Sequence, residues 1–113
     1  MAAPVYEFDA PLWRWGRRPD ALWTFASLPE AVSDEVLELG EPYARGFGSL
    51  RVEVTVGATR WRTSVFPDSD RGAYVLPIKR AVREAERLVV GGTAHVRLRL
   101  VDVEPPTTRR TRS

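Results

Sequence analysis

The sequence predicts a mainly β domain, a small closed or split barrel with two capping helices, and three observations carry that prediction. Two segments alternate with period two: Leu50, Val52, Val54 and Val56 against Arg51, Glu53 and Thr55, and Ala94, Val96, Leu98 and Leu100 against His95, Arg97 and Arg99. The elements read β-β-α-β-β-β-α-β within 113 residues, too many strands in too short a chain for a doubly wound sheet. The chain also echoes itself. A strand ending in Leu28-Pro29, then helix, glycines and an alternating strand, returns as a strand ending in Leu76-Pro77, then helix, glycines and an alternating strand. Two such halves related by a pseudo-two-fold axis would interleave their strands into one barrel, with a helix capping each end.

Taken in order, Val5 to Trp15 is a strand in which Tyr6, Phe8 and Ala10 alternate with Glu7 and Asp9, and Gly16 to Asp20 supplies turn chemistry. Ala21 to Leu28 returns as a second strand. Pro29 opens a helix, where its missing N–H costs nothing, and Val32, Val36 and Leu39 recur at helical spacing as far as Gly40. Its outer face is acidic, with Glu30, Asp34 and Glu38 four apart. Leu50 to Val56 and Arg60 to Phe66 form a hairpin about Gly57-Ala58-Thr59. The turn at 67–72 leads to a short strand, Ala73 to Leu76, which Pro77 ends. From Ile78 a second helix buries Ile78, Ala81, Val82, Ala85 and Leu88 and exposes Lys79, Arg80, Arg83 and Arg87, and Gly91-Gly92 stops it. Thr93 to Val103 is the last strand.

Charge and composition narrow the chemistry. The sequence has no cysteine and one histidine, which excludes cysteine-based zinc sites, thiol nucleophiles and disulfide frameworks. No cofactor or metal is implied. The net charge of +2 is set by Arg109, Arg110 and Arg112, and without them 14 basic residues face 15 acidic ones. The organisation expected is one domain over 1–104 followed by a disordered basic tail over 105–113, which has no apolar anchor. With no apolar run of membrane-spanning length and no signal-peptide core near the start, a monomeric, cytoplasmic protein that does not engage membranes is the expectation.

Trp61, Thr63, Ser64 and Phe66 can line a pocket between the hairpin and the basic helix, although aromatic and β-branched residues also suit ordinary cross-strand packing. Lys79 and Arg83 lie one helical turn apart near the start of that helix, where an anion would also meet backbone N–H groups. The competing reading is a solvated face paired with Glu84 and Glu86. Trp13, Trp15 and Trp23 flank the first hairpin and could stack on a ring or base, or pack at the barrel mouth. A Ser64/His95/Asp102 triad can be written down, but no nucleophile-elbow motif surrounds Ser64, and outside Asp, Glu, Lys and Arg the titratable inventory is nearly empty. Asp68-x-Asp70 before Gly72 has two acids of a calcium loop and lacks the rest, so a hairpin turn is expected there.

Gly72-Ala-Tyr-Val-Leu-Pro77-Ile-Lys79, Val82-Arg83, Leu88 and Gly91 resemble the swapped-hairpin motif of AbrB, MazE and SpoVT-like transcription factors, with Gly92 where that motif carries Asp. Over a longer span, Phe47-Gly-Ser-Leu-Arg51-Val, Trp61-Arg-Thr63-Ser64-Val-Phe66-Pro67 and Tyr74-Val-Leu-Pro77-Ile-Lys79-Arg-Ala-Val82-Arg83 resemble a bacterial family known as domain of unknown function nineteen hundred and five. The resemblance runs from about Val5 to Val103 and implies a double-split β-barrel capped by helices, with no established activity.

The functional expectation is a non-catalytic module binding a small, anionic ligand through Trp61, Thr63, Ser64, Lys79 and Arg83, or a protein partner. The alternative is DNA binding through Lys79, Arg80, Arg83, Arg87, Arg109, Arg110 and Arg112, by analogy to the swapped-hairpin regulators. Against it, residues 29–41 hold five acids and no base, so two equivalent basic faces are not available for half-site recognition. An enzyme is the third reading.

Overall fold

Two long strands that change partner part-way along their length define the architecture. The computed structural model describes residues 4–16 and 23–103. Its six strands are β1 (Val5–Trp15), β2 (Trp23–Ser27), β3 (Leu50–Val56), β4 (Thr59–Asp68), β5 (Ala73–Pro77) and β6 (Thr93–Leu100). They close into an antiparallel barrel in the order β1-β2-β5-β4-β3-β6. β1 pairs with β6 over 5–11 and with β2 over 12–15. β4 does the same, pairing with β3 over 59–65 and with β5 over 66–68. Exchanging β1 with β4, β2 with β5 and β3 with β6 reproduces the same set of neighbours. The barrel is therefore two interleaved β-β-α-β halves, as the repeated Leu-Pro segments predict.

The period-two residues fill the interior. Leu50, Val52, Val54, Val56, Ala94, Val96, Leu98 and Leu100 are all buried, joined by Phe8, Ala10 and Leu12 of β1. Each large side chain so buried contributes about 1.5–3 kcal/mol relative to exposure. Helix α1 (Glu30–Gly40) supplies the buried Val36, and its Gly40 packs against the Leu50 side chain. Helix α2 (Arg80–Glu86) supplies the buried Val82, and Glu86 Oε2 accepts a hydrogen bond from Thr59 next to the β3–β4 turn. The helices thus cap opposite ends of β3. The acidic residues of α1 (Glu30, Asp34 and Glu38) are exposed at one end, and the basic helix lies at the other.

Several details differ from the sequence-based expectation. Pro29 is the residue before α1 and not its first member. α2 is seven residues long and stops well short of Gly91-Gly92. Arg87, in the left-handed region at φ 55°, terminates it, with Leu88 N–H donating to Arg83 O at 2.9 Å and Arg87 N–H to Glu84 O. The glycines instead extend the barrel: Gly91 N–H donates to Leu12 O, and Leu12 N–H donates to Gly92 O, both at 2.9 Å. Ala81 and Ala85 are exposed, while Arg83 and Glu86 are half-buried; the helix is seated through Val82, with Ile78 before it buried and Leu88 after it partly buried against the core. The last strand ends at Leu100, where the chain bends so that Val101 N–H reaches Arg51 O. Most of the first turn (17–20), the expected start of the second strand (21–22) and the tail (105–113) lie outside the described residues. Among the described residues no helix is long and apolar enough to cross a membrane.

Candidate functional site

The partner change in β4 leaves an opening in the barrel wall. Over 59–65 this strand has β3 on one side and no strand partner on the other among the described residues. β5 does not extend alongside it: its pairing with β4 ends at Val75, while Leu76, Pro77 and then Ile78, whose N–H donates to Thr24 O at 2.9 Å, stay with β2. The opening is a cavity of about 490 Å³ between β4, the start of β2 and the residues leading into α2. It wraps the unpaired edge of β4 and so draws on both faces of that strand, Trp61 and Thr63 from one and Arg62 and Phe66 from the other. Trp23 and Thr24 form the opposite wall. Pro77, Ile78, Lys79, Arg80 and Arg83 close the remaining side.

Four cations therefore line an apolar and aromatic cavity, and no carboxylate is among the lining residues. Arg80 is engaged by Glu84 at 2.9 Å in an exposed pair, and Arg62 lies 3.7 Å from Glu53. Arg83 Nε donates to Ile78 O at 3.3 Å, which holds its guanidinium beside the cavity. Lys79 is exposed and has no ion-pair partner among the described residues. α2 starts at Arg80 with Lys79 as the residue before it, and its seven residues carry only a small dipole.

Of the predicted ligand residues, Trp61, Thr63, Lys79 and Arg83 come together at this cavity, as does Phe66. Ser64 does not. Its place opposite Arg51 in the β3–β4 ladder puts it in a neighbouring hollow with Arg51 and Val101. Sequence reading left Trp23, Thr24, Arg62 and Arg80 out of the pocket. Trp23 carried a signal as an aromatic of the first hairpin and Arg80 as part of the basic helix face, while Thr24 and Arg62 carried none.

That hairpin bears an aromatic series. Trp13 and Phe25 stack with ring centroids 5.1 Å apart, and Phe25 and Trp23 with 6.4 Å and 12° between planes. Trp13 is fixed by its Nε1–H donating to Ser27 Oγ at 2.8 Å and by the Arg71 guanidinium 3.4 Å above its ring. Trp15 and Trp23 remain 63% and 57% exposed, so neither is a core residue.

The triad written from sequence does not assemble. Asp102 is held by Arg51, whose Nε donates to it at 2.9 Å, and this hydrogen bond keeps the Asp102 carboxyl below its usual range. His95 lies between Asp9, 2.9 Å from Nδ1, and Glu7, 3.3 Å from Nε2. The hydrogen bonds to Asp9 and then Glu7 raise its pKa above 6.5. On the neighbouring outer face Arg99 bonds Glu53 and lowers the pKa of that carboxyl. Asp68 Oδ1 accepts the Asp70 N–H at 3.0 Å, so it shapes the turn before β5 as the hairpin reading expects.

The DNA-binding alternative is divided in the same way. Lys79, Arg80 and Arg87 are exposed along α2, Arg83 is half-buried against the cavity, and Arg109, Arg110 and Arg112 lie outside the described residues. No curated protein matches the chain. The sequence pattern of one family, described as Domain of unknown function (DUF1905), matches residues 8–98, nearly the whole of the barrel just described, and the chain belongs to that family.

Proposed function

We propose that this barrel is a non-catalytic binding module that takes a small anionic ligand in the opening between β4 and α2. One observation carries the reading: four cations converge on a largely apolar cavity of small-molecule size, and two of them, Lys79 and Arg83, have no carboxylate partner among the described residues. Lys79 and Arg83 would hold the anion, Trp61 would pack against the ligand body, and the Thr63 hydroxyl would orient it. Aromatic walls exclude water from one side and strengthen each charge interaction there.

Duplex DNA is the second reading, and the charge distribution favours it less. Arg80 is paired, Arg83 is turned toward the cavity, and the exposed acids of α1 repel phosphates at the far end. Salt separates the two. Pyrophosphate bound in the cavity should show a shallow dependence of log K on log salt, because one or two charges are neutralised. A duplex held by four to six phosphates should show a slope of roughly −4 to −5. Trp61→Ala should weaken binding of phenyl phosphate, whose ring can pack on Trp61, and leave duplex binding unaltered. A steep slope for a duplex, together with no measurable pyrophosphate binding, overturns the proposal.

A further inference from the structure

The cavity has a second feature that a site for a bare anion does not need. Trp23 lines it and is also the end of the stacked series Trp13–Phe25–Trp23. Trp13, at the far end of that series, is held by Ser27 and Arg71, and Phe25 is stacked between it and Trp23, which keeps more than half its surface open. A further flat ring stacked on Trp23 would continue the series. The cations Lys79 and Arg83 stand on another wall of the same cavity. A ligand that satisfies both walls carries a planar aromatic ring at one end and a phosphate at the other.

We propose that the ligand is a nucleotide, with its base stacked on Trp23 and its phosphate held by Lys79 and Arg83. This rests on the anion-binding reading of the same cavity and goes beyond it in naming the ligand class. Stacking of a base on an aromatic side chain contributes about 1–3 kcal/mol, and a cavity of about 490 Å³ is within the range of small-molecule sites. The base needs no hydrogen-bonded readout for this, so purine and pyrimidine nucleotides should bind within about tenfold of one another.

Isothermal titration of the intact chain with adenosine monophosphate, adenosine and inorganic phosphate tests it. The monophosphate should bind at least about tenfold more tightly than either fragment. Trp23→Ala should reduce it to the level of inorganic phosphate, and the Lys79→Ala, Arg83→Ala double variant should reduce it to the level of adenosine. Trp23 is exposed, so its replacement should spare the fold, and an unchanged melting temperature checks this. If phosphate binds as tightly as the nucleotide, or Trp23→Ala is silent, the ring-stacking proposal is overturned while the anion site stands. If neither anion binds, both fall.

Discussion

The Glu86 carboxylate, at the last residue of α2, accepts a 2.6 Å hydrogen bond from Thr59 Oγ1 at the first residue of β4. This bond fixes the far end of the helix whose near end carries Lys79. The same carboxylate lies over Gly57, which turns the β3–β4 hairpin at φ +58° and leaves no room for a Cβ beneath Glu86.

Gly57→Ala should therefore destabilise the fold through two effects. An L residue in the left-handed region costs about 1–2 kcal/mol, and displacing Glu86 sacrifices a charge-assisted bond to Thr59 worth about 1.5–3 kcal/mol. Urea melts of Gly57→Ala, Glu86→Ala and the double variant should show non-additivity, with Gly57→Ala less harmful once Glu86 is gone. Strict additivity would contradict the geometry.

A second tie lies at the opposite end. The backbone N–H of Tyr74 donates to Ser33 Oγ at 2.9 Å, and both residues are buried. Its strand partner is Pro67, which has no N–H to contribute to the β4–β5 ladder. Ser33→Ala should leave the Tyr74 N–H unpaired and lower stability by about 1–3 kcal/mol, visible as a reduced urea midpoint. A midpoint equal to the parent's would show that another acceptor takes over.

Arg87 occupies a backbone conformation that usually belongs to glycine. Arg87→Gly should relieve that strain and raise stability by about 0.5–1 kcal/mol while removing only an exposed charge. A lowered melting temperature would mean that the Arg87 side chain makes a contact worth more than the strain.

His95 should titrate above 6.5 because Asp9 and Glu7 favour its charged form. A group whose folded pKa is raised contributes stability that is fully present below its unfolded pKa and lost as pH rises through the folded one. The β1–β6 contribution from His95 should accordingly decline upward from about pH 6.5. For Asp102 and Glu53, whose folded values are lowered, the contribution is present at neutral pH and disappears as pH falls through those values. An NMR titration of the imidazole checks the first point, and Asp9→Asn should move the His95 pKa downward. An unshifted value in the parent would contradict the pairing.

The barrel was readable in the sequence because its signals are local. Valine and leucine at every second position of 50–56 and 94–100 define an inner face, and the two Leu-Pro pairs mark equivalent strand ends. The end of α2 was not readable, since Arg87 in the left-handed region has no residue-type signature and Gly91-Gly92 supplied a false one. Half the candidate site was legible. Trp61 and Thr63 alternate on one strand, and Lys79 and Arg83 lie four residues apart, both short-range patterns. Trp23, Thr24 and Arg62 were missed as cavity residues because they meet there only through the partner change of β4, a tertiary event.

The claim that the opening beside β4 is a binding site is tested most directly by mapping amide and indole NMR signals while adenosine monophosphate is added at low salt. The account predicts that shifts concentrate on Trp23, Trp61, Thr63, Lys79 and Arg83 and saturate together, leaving Glu30–Gly40 unmoved. Shifts confined to the arginines of the outer face, Arg60, Arg97 and Arg99, or shifts that never saturate, would contradict it.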